Sequence, residues 1–217
     1  TCHETETHVE VGAAVTHARI EDGACPEPVG GMLRKIAAGI AYRAVRNRGT
    51  IGGSLCHADP AADWVSGLVA MGASVVLHGP GGARRELAVE QFVLGAYRTA
   101  LAPGEVLVKV RIPRRSGAVA WGYYKICRKV GEFADAIGAF VADPEARFCR
   151  VVIGSTGATP LLSAPLARVL ATTGAPAGLE AIKAELRAAL PVEVSETKLH
   201  KLAVAHIRSV SGEGGAG

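Results

Sequence analysis

Between Val45 and Trp64 the chain reads VRNRGTIGGSLCHADPAADW, and here the residue types that can do chemistry crowd together. Gly52 and Gly53 free the backbone for positive φ and for close approach of a ligand. Consecutive amide N–H groups in such a bend can point at an anion. Thr50 and Ser54 add hydroxyls on either side, and Arg46 and Arg48 raise the local potential. Asp59 and Asp63 supply acceptors for a sugar or a ring N–H. Amides at one end and carboxylates at the other suit a nucleotide. The other reading is a plain strand-to-helix turn, which is what a Gly-Gly pair alone usually marks. Neither G-x-G-x-x-G nor G-x-x-x-x-G-K-[ST] occurs, so the two common phosphate-loop fingerprints are absent.

Several elements must position this stretch. HVEVGAAVT (8–16) alternates as a strand. Residues 29–42 space Met32/Leu33, Ile36 and Ile40 as one apolar helical stripe. Residues 59–71 read as a helix with Asp59 as N-cap and Pro60 at its first position, Trp64, Leu68 and Met71 buried, and Gly72 as its stop. A hairpin follows, with strands at 73–78 and 83–89. In EVLVKVRIP, Val106, Val108, Val110 and Ile112 share one face and Leu107, Lys109 and Arg111 the other. Leu107 is then the one large aliphatic on a charged face, which a ligand or a second layer must cover. Pro113–Gly122 mixes Pro, Gly, Ser and charge and makes a domain boundary. Beyond it stand strand-like runs at 121–130, 134–142 and 148–155. Helix-like runs follow at 163–172, 178–190 and 197–210. Strands in a block and then helices in a block argue an α+β module. The expected domains are 1–115 and 119–210, with 211–217 a disordered tail.

The chain has 217 residues, 49% hydrophobic and 20% charged, with a formal net charge of +4. That supports a buried core and excludes a disordered polyelectrolyte. No basic cluster is interleaved with aromatics, which argues against nucleic acid. No apolar run has the length of a membrane span. Five cysteines without a C-x-x-C pair argue against a disulfide framework and for a reducing, cytoplasmic setting. They also give no iron–sulfur spacing. Cys2, His3 and His8 match no standard zinc pattern, so no metal site is expected. Cys127 and Cys149 read as core, and His200 and His206 as polar-face residues of the last helix.

RNRGTIGGSLCHADPAADW resembles the second flavin-contacting segment of the FAD-binding (medium) subunit of molybdenum hydroxylases, the carbon monoxide dehydrogenase and xanthine dehydrogenase family. VEVGAAVTHARIE, VLHGPGGARRELAVEQFVLGAYRTALAPGEVLVKVRIP and GYYKICRKVGEFADAIGAF extend the likeness over nearly the whole chain. The resemblance implies a two-domain α+β fold: a PCMH/VAO-type FAD-binding domain, then a small domain with a three-stranded antiparallel sheet and helices. It implies FAD contacts for Thr50, Ile51, Gly52, Gly53 and Ser54 at the diphosphate and ribityl region, and for His57. Asp63 belongs near the adenosine end and Ile40 near the isoalloxazine. Leu107 packs at the flavin ring, and Lys125 lies near its polar edge, where a cation stabilises a reduced flavin. Asp59 is grouped with these.

In that family substrate is oxidised at a molybdenum cofactor on a large subunit, [2Fe–2S] clusters on a small subunit relay electrons, and FAD passes them to NAD⁺, a quinone or oxygen. No catalytic side chain is then required of this subunit. The family's second glycine-rich loop, an AGG-type segment in an N-terminal subdomain, has no counterpart here. The chain reads as beginning mid-domain, and half of a diphosphate cradle implies weak FAD binding or none. Two alternatives stand beside this reading: a non-catalytic assembly subunit of the same complex, and a stand-alone flavin oxidoreductase of the vanillyl-alcohol oxidase type.

Overall fold

The computed structural model of the chain describes residues 1–115 and 117–212. In chain order the elements are β1 (Cys2–Glu4), β2 (His8–Gly12), α1 (His17–Glu21), α2 (Met32–Ala38), α3 (Arg43–Arg46), α4 (Ile51–His57) and α5 (Asp63–Met71). Then come β3 (Ser74–His78), β4 (Arg84–Ala88), α6 (Val89–Phe92), β5 (Val93–Gly95), β6 (Arg98–Thr99) and β7 (Val106–Pro113). The chain continues through β8 (Ala120–Ile126), β9 (Ala136–Asp143), β10 (Phe148–Gly154), β11 (Leu161–Leu162), α7 (Ala164–Thr173), α8 (Leu179–Ala189) and α9 (Glu196–Val210).

One sheet runs β1-β2-β7-β3-β4 and a second runs β11-β10-β9-β8, every pairing antiparallel. The expected C-terminal three-stranded sheet thus gains the short β11 as a fourth strand. On the first sheet, Val9 and Val11 turn inward against Val110 and Ile112. The opposite face carries ion pairs of Glu10 with Lys109 and Arg111, and of Arg111 with Glu86.

The alternation expected along 106–112 fails at one residue. Val76 pairs with Lys109 but Leu77 pairs with Leu107, so Val108 is an extra, bulged residue. A bulge shifts the period of two by one position. Leu107 therefore swings from the charged face into the core, where it is 8% exposed, while Val106 is left 58% exposed. The freed Val108 carbonyl accepts from Ala13 N–H, 2.9 Å. Core packing covers most of Leu107.

Two helix boundaries also differ from the sequence pattern. α2 begins only after Gly30 and Gly31, both at positive φ, and ends before Ala41, at φ 43°. Glu27 accepts from Leu33 and Arg34 N–H at its start. α5 begins at Asp63 rather than at Asp59. Asp59 instead accepts from Ala61 N–H and from the Tyr97 hydroxyl, so a tertiary bond holds it out of the cap.

The inner face of the second sheet shares one apolar core with the first: Ile137, Ala139, Val141 and Val152 pack with Trp64, Leu68, Ile36 and Val75. Its other face packs Phe140 and Ile153 against α7, α8 and α9. Of the tail, residues 213–217 lie outside the described residues; 211 and 212 close α9 in a turn.

His206 was expected on a polar face but is 0% exposed, and among the described residues neither ring nitrogen has a partner. α9 lies flat on β8 and β9, so its inward face includes this position. Burial lowers its pKa to about 4; burial and the Arg46 charge do the same for His17, to about 4. Both rings must be neutral in the fold, whereas an unfolded histidine titrates near 6.5. The folded state therefore binds fewer protons between these values, and stability falls as pH drops from about 6.5 toward 4. Each group contributes at most about 3 kcal/mol to that loss. Urea unfolding measured from pH 7 to pH 5 is expected to show this loss, and His206→Leu is expected to flatten it.

Candidate functional site

The glycine pair sits in α4, not in an open loop. Thr50 is its N-cap, and its Oγ1 accepts from Gly53 N–H, 3.0 Å. Ile51 N–H donates to Val15 O, Gly52 N–H to Ala13 O, and Ser54 N–H to Thr50 O, at 3.1, 3.0 and 3.0 Å. All four amides expected to face an anion already have partners in the chain. The first free donors of any helix must find acceptors, and here the 13–16 segment after β2 provides two of them. Gly52 is required by packing: a Cβ there would lie 2.5 Å from the Ala13 Cβ. Gly53 is exposed, and a Cβ there would meet only Thr50 Oγ1.

Beside α4 opens a cleft of about 360 Å³. Ile40, Ser54, His57, Asp59 and Asp63 line it, together with Ala41, Val45, Ala62, His17 and residues 131–133. The structure thus brings five of the sequence-selected residues to one surface. Thr50, Ile51, Gly52 and Gly53 are not among its lining residues, and Leu107 lies in the core. Lys125 lines a neighbouring cavity of about 210 Å³ with Tyr123 and Cys127; Gly131 belongs to both walls.

A buried charge cluster separates the two cavities. Lys125 Nζ lies 2.9 Å from Asp63 Oδ1 and donates to Gly39 O at 2.8 Å. The Tyr123 hydroxyl donates to Asp63 Oδ1 at 2.6 Å. The Lys125 and Asp63 side chains are 9% and 5% exposed. Burial raises the pKa of Asp63, against the opposing pull of Lys125, and burial followed by the Asp63 charge raises that of Tyr123 well above the ordinary phenol value. The Lys125 charge is compensated where it stands.

Arg46 was expected to contribute open positive potential. Its side chain is instead only 12% exposed: Nε and Nη2 bond Glu21, and Nη1 donates to the Ile40 and Ala41 carbonyls at 2.9 Å each. Those bonds hold the Glu21 carboxyl below its ordinary range and fix one wall of the cleft. The wall is closed from the other side by Ala41 N–H donating to Gly131 O, 2.9 Å. A Cβ at Gly131, whose φ is 91°, would lie 2.5 Å from Ala41 O. At the far end His57 packs against Tyr97 with the rings tilted by 55° and their centroids 5.2 Å apart.

His17 was missed by sequence reasoning. It is buried, lines the cleft, and accepts at Nδ1 from Trp64 Nε1, 3.0 Å. Its partner is remote in sequence, and no motif marks either. Against expectation, Cys2 and Cys25 are joined as a disulfide, Cα atoms 5.3 Å apart, which removes the cysteine argument for a reducing setting. Cys127 and Cys149 are half-buried rather than core. Among the described residues no group of three His, Cys, Asp or Glu is placed to hold a metal, and no helix is long and apolar enough to cross a membrane.

The fold defines the class first. The chain is similar to a chain of carbon monoxide dehydrogenase from Oligotropha carboxidovorans, with a TM-score of 0.84 and 27% identity over 97% of this chain and 77% of that one. Quinoline 2-oxidoreductase from Pseudomonas putida 86 gives 0.81 and 26%, over 97% and 76%. The family described as the FAD binding domain in molybdopterin dehydrogenase matches residues 1–115, and the chain belongs to it. Among curated relatives, the carbon monoxide dehydrogenase medium chain of Afipia carboxidovorans is 36% identical over 166 residues, 75% of this chain and 56% of that one. Caffeine dehydrogenase subunit beta of Pseudomonas sp. (strain CBB1) is 32% identical over 154 residues, 70% and 52%. The chain spans about half the length of these curated relatives.

Two substitutions test the site's construction by chemical denaturation. Asp63→Ala leaves Lys125 buried without its carboxylate and is expected to destabilise the fold by about 3–5 kcal/mol. Gly52→Ala forces α4 away from Ala13 and is expected to cost about 1–3 kcal/mol.

Proposed function

We propose that this chain is the FAD-carrying part of a molybdenum hydroxylase medium subunit. In that role it takes electrons from iron–sulfur clusters on a small subunit, with the molybdenum cofactor on a large subunit, and hands them to an acceptor. The carrying observation is the cleft, which collects Ile40, Ser54, His57, Asp59 and Asp63 from separate segments of a chain of this family. The relatives' names, a medium chain and a beta subunit, support the role of one part in a larger complex.

The residues present fit a flavin ring and its ribityl chain better than a diphosphate. Ile40, Ala41, Val45 and Phe133 offer an apolar wall, while the Ser54 hydroxyl bonds to no described residue and His57 is exposed at the rim. When bound, FAD supplies the redox chemistry, and the protein's part is to hold it and exclude water. Asp63 and Lys125 would form a neutral pair at the wall, while Asp59 and Glu132 leave the lining acidic. At α4 a diphosphate meets no unpartnered amide between Ile51 and Ser54. That same observation favours the second reading, an assembly subunit with impaired FAD binding.

Fluorescence titration of the 217-residue chain with FAD separates the two. We expect saturable but weak binding, in the micromolar range or weaker, and loss of flavin on gel filtration. Stoichiometric flavin retained through purification would show that the α4 amides do reach the diphosphate. No saturable quenching at any concentration would favour the assembly role.

A further inference from the structure

We propose that His17 is a ligand-contacting residue of the cleft, presenting an uncharged Nε2–H donor to an acceptor atom of a bound planar heteroaromatic ring. The proposal rests on the flavin reading above and deepens it, naming the group that would read the ring's carbonyl or ring-nitrogen acceptor.

The tautomer follows from the partner. Trp64 is fully buried, and its indole nitrogen can only donate. It donates to His17 Nδ1 at 3.0 Å, so Nδ1 carries a lone pair and the neutral ring holds its proton on Nε2. No described residue accepts from that N–H. That nitrogen is not sealed from solvent, so water answers it when nothing else does. His17 lines the cleft, so a bound molecule can do so. A Cβ at Gly49 would stand 2.8 Å from Nε2, so any larger residue there would press on that edge of the ring.

The chemistry of the ligand follows from the charge state. Burial and the Arg46 charge hold the ring neutral through the physiological range, with a pKa of about 4. A neutral donor beside Ile40 and Val45 favours an uncharged acceptor over a phosphate, which a cation would serve better. A carbonyl oxygen or an imine nitrogen on a flat apolar ring meets that description.

The test is a long-range ¹H–¹⁵N correlation spectrum of the histidine rings in the ¹⁵N-labelled chain, titrated with FAD beside the fluorescence measurement. At pH 7 His17 is expected to be neutral with its proton on Nε2. FAD is expected to move the His17 Nε2 resonance while leaving that of His206 in place. The double variant His17→Leu/Trp64→Phe removes donor and partner together, so no indole N–H is stranded; its FAD affinity is expected to fall about tenfold with an unchanged circular dichroism spectrum. His17→Gln keeps an N–H donor and is expected to retain more affinity than the double variant. Quenching of FAD with no movement at His17, a proton found on Nδ1, or full affinity in a folded double variant would overturn the assignment and leave the flavin reading standing. No binding of FAD by the wild-type chain would remove both, and the fluorescence titration identifies that case.

Discussion

The buried pair of Asp63 and Lys125 is the constraint on which the rest of the molecule depends. Asp63 opens α5, which belongs to the first half of the chain; Lys125 stands on β8, in the second sheet. Taking both charges out of water is unfavourable, and what offsets it is their mutual attraction together with the Tyr123 hydroxyl and the Gly39 carbonyl. The four groups come from α5, β8 and the end of α2, so satisfying them sets the distance between the two halves. The shared apolar core sets the rest. The cleft on one side of the pair and the smaller cavity on the other are consequences of that spacing.

Around this anchor the cleft walls are held by backbone carbonyls and amides rather than by side chains reaching inward. Arg46 ties Ile40 and Ala41 to Glu21, and Ala41 is in turn bonded to Gly131. The floor at α4 is sealed by the segment after β2. The apolar part of the wall suits a flat ring held by contact and a small number of directed hydrogen bonds. It suits less well a phosphate that needs several free donors, so the proposed FAD fit is uneven along the cofactor.

Much of the architecture was readable from the residues. The alternation of Val9 and Val11, the hairpin at 73–89, the Gly72 stop and the three terminal helices all stand where local pattern put them, because each is set by short-range periodicity and chain sterics. Of the residues singled out as a site, five share a surface: Ile40, Ser54, His57, Asp59 and Asp63. The failures have specific physical causes. The Val108 bulge shifted Leu107 by one position, and nothing local announces a bulge. Asp59 lost its cap role to Tyr97, and the Gly52 amide went to Ala13, both through partners remote in sequence.

The sequence alone determined the α+β class, the family and the longer strands and helices, since these rest on periodicity and on residue types at fixed spacing. Only the tertiary structure decided which of those residues face outward and in what charge state. It paired Lys125 with Asp63, occupied the α4 amides, joined Cys2 to Cys25 and set the tautomer of His17 through Trp64. The reason is that hydrogen bonds and desolvation depend on which groups meet in space, and chain position carries that information only weakly.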